Sequence, residues 1–182
     1  NITSKTRAII PVHLLGLPAE MDPIIDLAKQ YRLEVIEDSA ECMFASLNNQ
    51  MVGSFGDISC FSTYVAHILT TGVGGISLTS NSDYAITIRS LVNHGRDPIY
   101  SNIDDSKGKT KEQMKEVINR RFKFVYPGHS FRTSEMEGAV GLAQLENWED
   151  NIFKRQQNAL FLTDQLSLFI EELQLAVLRP GA

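Results

Sequence analysis

The chain has 182 residues, 43% hydrophobic and 21% charged, with a formal net charge of −5. This is enough for one buried core but short for two full domains, and an acidic chain with no basic, aromatic-interleaved stripe is not a nucleic-acid surface. No run of about 18 apolar residues reads as a membrane span, and no charged-then-apolar leader opens the chain.

Cys42 and Cys60 form neither a disulfide framework nor a metal-type pair, so a reducing, cytoplasmic setting is expected, with both thiols as small buried hydrophobes. No metal site is expected.

Ala8 to His13 and Glu34 to Glu37 read as short strands rich in β-branched residues. Between them Asp22 to Tyr31 reads as a helix, with Asp22 as its cap and Pro23 at the first helical position. Strand, helix, strand is a βαβ unit, which requires parallel pairing and a right-handed crossover. Ile58–Ser62 and Gly75–Thr79 supply two further strands, and a helix is expected from about Ser82 to Asn93. The polar stretch from Asp97 to Lys115 reads as a loop with some helix.

Ser134 and Glu137 have capping-box spacing ahead of an apolar run. From Glu149 onward, Ile152, Ala159, Leu166, Ile170 and Leu173 suit one face of a long amphipathic helix. The opening at Asn1, close to an apolar run, and the ending at Arg179 to Ala182 read as cuts through a longer fold.

Three residues carry chemistry by position. Asp38 follows a strand, at the edge where open α/β sheets place their ligands, although an aspartate there can also cap a turn. Ser62 closes another strand, where a hydroxyl beside backbone N–H groups suits a phosphate or can bond its own backbone. His67 follows five residues later, in a stretch between Lys29 and Lys107 that has no lysine. An imidazole can take and deliver protons near neutral pH. Gly72, Gly74 and Gly75 permit a tight turn.

The blocks Val12–Gly16, Val35–Glu41, Val52–Ile58, Cys60–Ser62, Thr70–Gly75 and Gly128–Leu145, in that order, resemble the DegT/DnrJ/StrS nucleotide-sugar aminotransferases. The resemblance implies an α/β fold, part of a fold-type-I pyridoxal-phosphate transferase: a mixed, mostly parallel sheet flanked by helices. Residues 1–148 would belong to the cofactor-binding large domain, and 149–182 to a connecting helix and the start of the small domain.

It further implies that Asp38 pairs with the cofactor's pyridine nitrogen, that Glu41 lies near its ring hydroxyl and that Ser62 contacts its phosphate. Ser130 stands where relatives use an asparagine to reach the phosphate of the neighbouring subunit in a homodimer with a shared active site. His13, His94, Arg96 and Arg132 become candidate substrate contacts.

His67 occupies the position of the lysine that anchors the cofactor. Imidazole cannot form that covalent link. The same exchange marks a branch of 3-dehydratases acting on nucleotide-linked 4-keto-6-deoxy sugars with pyridoxamine phosphate, and the resemblance implies that His67 serves as their acid/base. Two other readings stand beside it: a sugar aminotransferase with glutamate as amino donor, and a non-catalytic regulatory homologue. Departures from the family pattern at Val73, Met43, Phe44 and Ser130 bear on that choice.

Overall fold

The computed structural model describes residues 2–98, 108–176 and 181. It forms two compact units, residues 1–76 with 134–182 and residues 77–133.

The first unit is built on the expected βαβ element. Strand β1 (Ala8–Ile9), helix α1 (Met21–Tyr31) and strand β2 (Glu34–Asp38) come in order, and β1 pairs in parallel with β2. β1 is shorter than Ala8 to His13 because Pro11 has no N–H for the ladder. Pairing resumes as a single parallel bridge between Val12 and Asp38.

Helix α1 begins at Met21, two residues before the expected first helical position at Pro23. Glu20 precedes it and Pro23 is its third residue, where a missing N–H is still tolerated because first-turn N–H groups lack intrahelical partners. Met21 and Ala28 bury one face of α1 against Val35 and Leu47, with Ile9, Ile24, Ile25, Leu33 and Phe55 packed around them. The i, i+3, i+4, i+7 spacing within α1 produces that face.

After β2 comes a hairpin of β3 (Ser46–Leu47) and β4 (Gln50–Met51), which the sequence reading did not anticipate. Its turn residues Asn48 and Asn49 have φ of 52° and 64°, the left-handed pair that a two-residue hairpin turn requires and asparagine tolerates. Strand β5 (Ile58–Ser62) lies parallel to β2, and β6 (Gly75–Leu78) completes a sheet in the order β1-β2-β5-β6. Cys42 is fully buried as expected, but Cys60 is exposed because it alternates away from Ser59, the buried residue before it.

The second unit contains α2 (Ser82–Val92), whose first-turn N–H groups of Asp83 and Tyr84 are capped by Asn81 Oδ1 at 2.9 and 3.2 Å. It also contains α3 (Lys111–Arg120), which opens on a capping box between Thr110 and Gln113. Residues 99–107 of the expected polar stretch lie outside the described residues, as do 177–180 and 182 at the end of the chain.

Helices α4 (Glu135–Leu145) and α5 (Trp148–Leu166) return to the first unit, and Glu137 accepts a hydrogen bond from the Ser134 N–H as the capping box requires. The apolar stripe expected on α5 extends past its end: Leu166 closes the helix, a single 3₁₀ turn follows, and Ile170 and Leu173 lie beyond it. No residue of α4 or α5 is buried, so their apolar side chains have no core among the described residues. No described helix is long and apolar enough to cross a membrane.

Candidate functional site

Two parallel strands place the central candidates on one edge of the sheet. Glu37 is level with Ser59 and Asp38 with Cys60, so Asp38 closes β2 while Ser62 closes β5 two residues further along. This is the carboxyl edge, where open α/β sheets bind ligands.

Asp38 is clasped there by the segment after β1. Its N–H donates to the Pro11 carbonyl at 2.9 Å, and its carbonyl accepts from the His13 N–H at 3.0 Å. Its carboxylate accepts from the Ala40 N–H at 3.2 Å, which is its one hydrogen bond among the described residues.

Beyond Ser62 the chain folds back on itself. Thr63 donates its N–H to the Gly74 carbonyl at 3.1 Å and accepts at its own carbonyl from the Thr71 N–H at 2.9 Å. The two threonine hydroxyls lie 2.7 Å apart. Ser62 Oγ accepts from the Tyr64 N–H at 3.2 Å.

His67 sits within this closed loop. Its N–H donates to the Tyr64 carbonyl at 2.9 Å, and its ring faces the edge of Tyr64 with centroids 6.1 Å apart. Nδ1 of His67 is buried and has no hydrogen-bond partner. A buried polar atom without a partner carries a free-energy penalty unless a bound group satisfies it.

Glu37 is the residue that sequence reasoning overlooked. It is fully buried, yet four donors converge on its carboxylate: the N–H groups of Gly53, Phe55 and Gly56 at 2.8, 2.8 and 2.7 Å, and His13 Nε2 at 3.0 Å. Burial alone would push this acid up. The hydrogen bonds from His13, Gly56, Gly53 and Phe55 together hold it below its ordinary value. Alternation along β2 could have flagged it, since Glu37 falls on the same buried face as Val35.

His13, expected near the substrate, is itself fully buried. Its Nδ1 accepts from the Ala19 N–H at 3.0 Å, so Nε2 carries the proton that it donates to Glu37. Both ring nitrogens are therefore used inside the protein. Glu41 accepts from the N–H of Leu15 at 2.8 Å, tying the turn after His13 to the segment beyond β2. Next to it, burial followed by the charge of Glu41 pushes the Cys42 thiol up to about 11, so Cys42 stays protonated and inert.

The remaining candidates belong to the second unit. Arg132 Nη2 lies 3.4 Å from His94 Nε2, and Ser130 forms an antiparallel bridge with Asn93. The Arg96 guanidinium lies over Phe122 and Phe124, 5.2 and 5.9 Å from their centroids. Beside it, Asp97 is buried and accepts two hydrogen bonds from Arg120, at 2.9 and 2.7 Å. No three His, Cys, Asp or Glu side chains gather as a metal site among the described residues.

Comparison with known proteins fits this arrangement: residues 1–178 match the profile of the DegT/DnrJ/EryC1/StrS aminotransferase family. The chain belongs to that family. A GDP-perosamine synthase of Caulobacter vibrioides is 36% identical over 156 residues, covering 86% of this chain and 37% of the relative. A GDP-4-keto-6-deoxy-D-mannose 3-dehydratase of Yersinia pseudotuberculosis is 31% identical over 166 residues, covering 91% of this chain and 42% of the relative.

Among solved structures of the family, an Escherichia coli GDP-4-keto-6-deoxy-D-mannose-3-dehydratase with bound hydrated PLP superposes with a TM-score of 0.76 at 29% identity, over 98% of this chain and 44% of that one. An aminotransferase from Psychrobacter cryohalolentis gives 0.79 at 30% identity, over 98% and 43%. The chain thus spans less than half the length of these family members.

Proposed function

We propose that this protein is a cofactor-dependent enzyme that removes the 3-hydroxyl of a nucleotide-linked 4-keto-6-deoxy sugar, with His67 as acid/base. The observation that carries this reading is His67 itself, an imidazole with a buried, unpartnered nitrogen in the loop leaving Ser62.

The residues present fit pyridoxamine or pyridoxal phosphate. Asp38 has acceptor capacity left at the sheet edge, Ser62 offers a hydroxyl to a phosphate, and Glu41 lies three residues beyond Asp38 for the ring hydroxyl. When bound, the cofactor supplies an electron sink for the carbon next to the reacting carbonyl.

The chain's own residues do the rest. Asp38 keeps the pyridine nitrogen protonated, because a carboxylate beside it favours the charged form. His67 accepts a proton at Nδ1 and returns one to the departing hydroxyl, which leaves as water. The closed loop at Thr63 and Thr71 holds the imidazole in place. His94, Arg96 and Arg132 offer positive and hydrogen-bonding groups to the sugar nucleotide. Water hydrolyses the product to the 3-deoxy keto sugar and ammonia, and glutamate is the amino donor that restores the cofactor and supplies the two electrons. The working form is a cytoplasmic homodimer in which Ser130 serves the neighbouring subunit's site.

Amino transfer to a keto sugar is the second reading, favoured by the 36% identity to a GDP-perosamine synthase. Against it stands the absence of any lysine between Lys29 and Lys107.

The test incubates the protein with pyridoxamine phosphate and GDP- or dTDP-4-keto-6-deoxy sugars and follows products by mass spectrometry. Loss of one oxygen from the sugar supports dehydration, and gain of an amino group supports transfer. No change with any sugar supports the non-catalytic homologue. A cofactor that borohydride fixes covalently to the wild-type protein overturns the role given to His67.

A further inference from the structure

We propose that His13 and Glu37 are positioning residues that decide which of two adjacent acids faces the cofactor. This rests on the reading of Asp38 as the partner of the pyridine nitrogen.

Glu37 and Asp38 are consecutive on β2, so their side chains leave opposite faces of the strand. A slip of one residue would exchange them, sending Asp38 into the core and Glu37 to the ligand edge. β2 is paired on both sides, with β1 and with β5, but those ladder bonds run backbone to backbone and can re-form after a slip whichever acid faces inward. What opposes it is the set of four donors on the Glu37 carboxylate, three of them backbone N–H groups of the 53–56 loop.

The fourth donor, His13, links the two faces. Its ring donates to Glu37 on the buried side, while its backbone N–H donates to the carbonyl of Asp38 at 3.0 Å. His13 is in turn fixed by the Ala19 N–H at its other nitrogen. The chain from Ala19 through His13 to Glu37 therefore closes around Asp38, and among the described residues no side-chain donor holds its half-buried carboxylate directly. Ser59, level with Glu37 on the neighbouring strand, is also buried, and its hydroxyl has no partner. Among the described residues, His13 is therefore the side-chain donor on which Glu37 depends.

The experiment titrates pyridoxamine phosphate, labelled with nitrogen-15 in its ring, into the wild-type protein and into His13→Ala and His13→Gln. Binding is read by calorimetry and ring protonation by the nitrogen-15 chemical shift at neutral pH. Wild type is expected to bind with a protonated ring. His13→Ala is expected to bind about 10–100-fold more weakly, the scale on which supporting residues act elsewhere, with its ring signal moved toward the neutral form. His13→Gln, which keeps a donor toward Glu37, is expected to recover much of both.

Wild-type affinity and a wild-type ring signal in His13→Ala would overturn the proposal while leaving the cofactor reading intact. A wild-type protein that binds no pyridoxamine phosphate, or binds it with a neutral ring, overturns the cofactor reading itself and the proposal with it. If His13→Ala does not fold, Glu37→Gln takes its place: the same two losses support the proposal, and unchanged values overturn it.

Discussion

Phe44 stacks on Trp148 with ring centroids 4.3 Å apart, even though Phe44 holds a left-handed backbone with φ of 67°. The family resemblance places a glycine at this position, and the backbone explains why. Two terms oppose each other here: the left-handed conformation costs a residue with a Cβ about 1–2 kcal/mol, while the ring pair contributes about 0.5–1.5 kcal/mol beyond its burial. Phe44→Ala keeps the strain and loses the stack, so it should lose about 2–3 kcal/mol once lost apolar burial is included. Phe44→Gly loses the same stack but relieves the strain, so it should come out about 1 kcal/mol more stable than the alanine variant. Urea denaturation of both variants checks the order, and an alanine variant equal to or above glycine would contradict the strain at Phe44.

Glu37 should shape the acid limb of stability. Its folded value is held below the ordinary carboxylate value of 4.5, so its contribution is complete above that pH and is lost as the pH falls through the lower folded value. Glu37→Gln should flatten that acid limb, as read from urea midpoints across a pH series. Glu37→Ala leaves buried His13 and three half-buried N–H groups without their acceptor and should lose about 3–5 kcal/mol at neutral pH.

His67→Asn should separate binding from chemistry. The amide is polar and similar in reach to the imidazole, but it cannot exchange protons near neutral pH. Turnover of the keto sugar should fall by about 10²–10⁴, the usual contribution of general acid–base catalysis, with pyridoxamine phosphate affinity unchanged by calorimetry. Equal losses in binding and turnover would instead mark His67 as a structural residue of the loop.

Gly95→Ala should destabilise the second unit. Gly95 has φ of 73°, and an added Cβ would run into the Tyr126 carbonyl and the backbone of Gly128. Strain in the left-handed region alone costs about 1–3 kcal/mol, and the close backbone approach adds to it. Hydrogen exchange of the Leu91 to Arg96 amides should rise first, because the Gly95 N–H and carbonyl anchor that turn through bonds to Ser90 and Val125.

Local patterns announced much of this architecture. The runs before and after α1 predicted a parallel βαβ unit, Ser134 with Glu137 predicted the start of α4, and the strand ending at Ser62 appeared where its β-branched and aromatic residues placed it. Boundaries moved where one backbone group decided them: Pro11 shortened β1, and Glu20 rather than Asp22 preceded α1. The hairpin at Asn48 and Asn49 escaped notice because its strands are two residues each, too short to show alternation.

By itself the sequence determined the alternation of strands and helices, the family, and the presence of His67 in a stretch without lysine between Lys29 and Lys107, since each of these is written in residue type and spacing. Only the tertiary structure decided what His13 and Glu37 do. Their bond joins residues 24 apart in the chain, and a buried acid becomes stable only when donors from separate loops converge on it, which spacing along one strand cannot reveal. The unpartnered nitrogen of His67 is of the same kind: whether a polar atom is satisfied depends on everything around it in space, and sequence lists only what stands beside it in the chain.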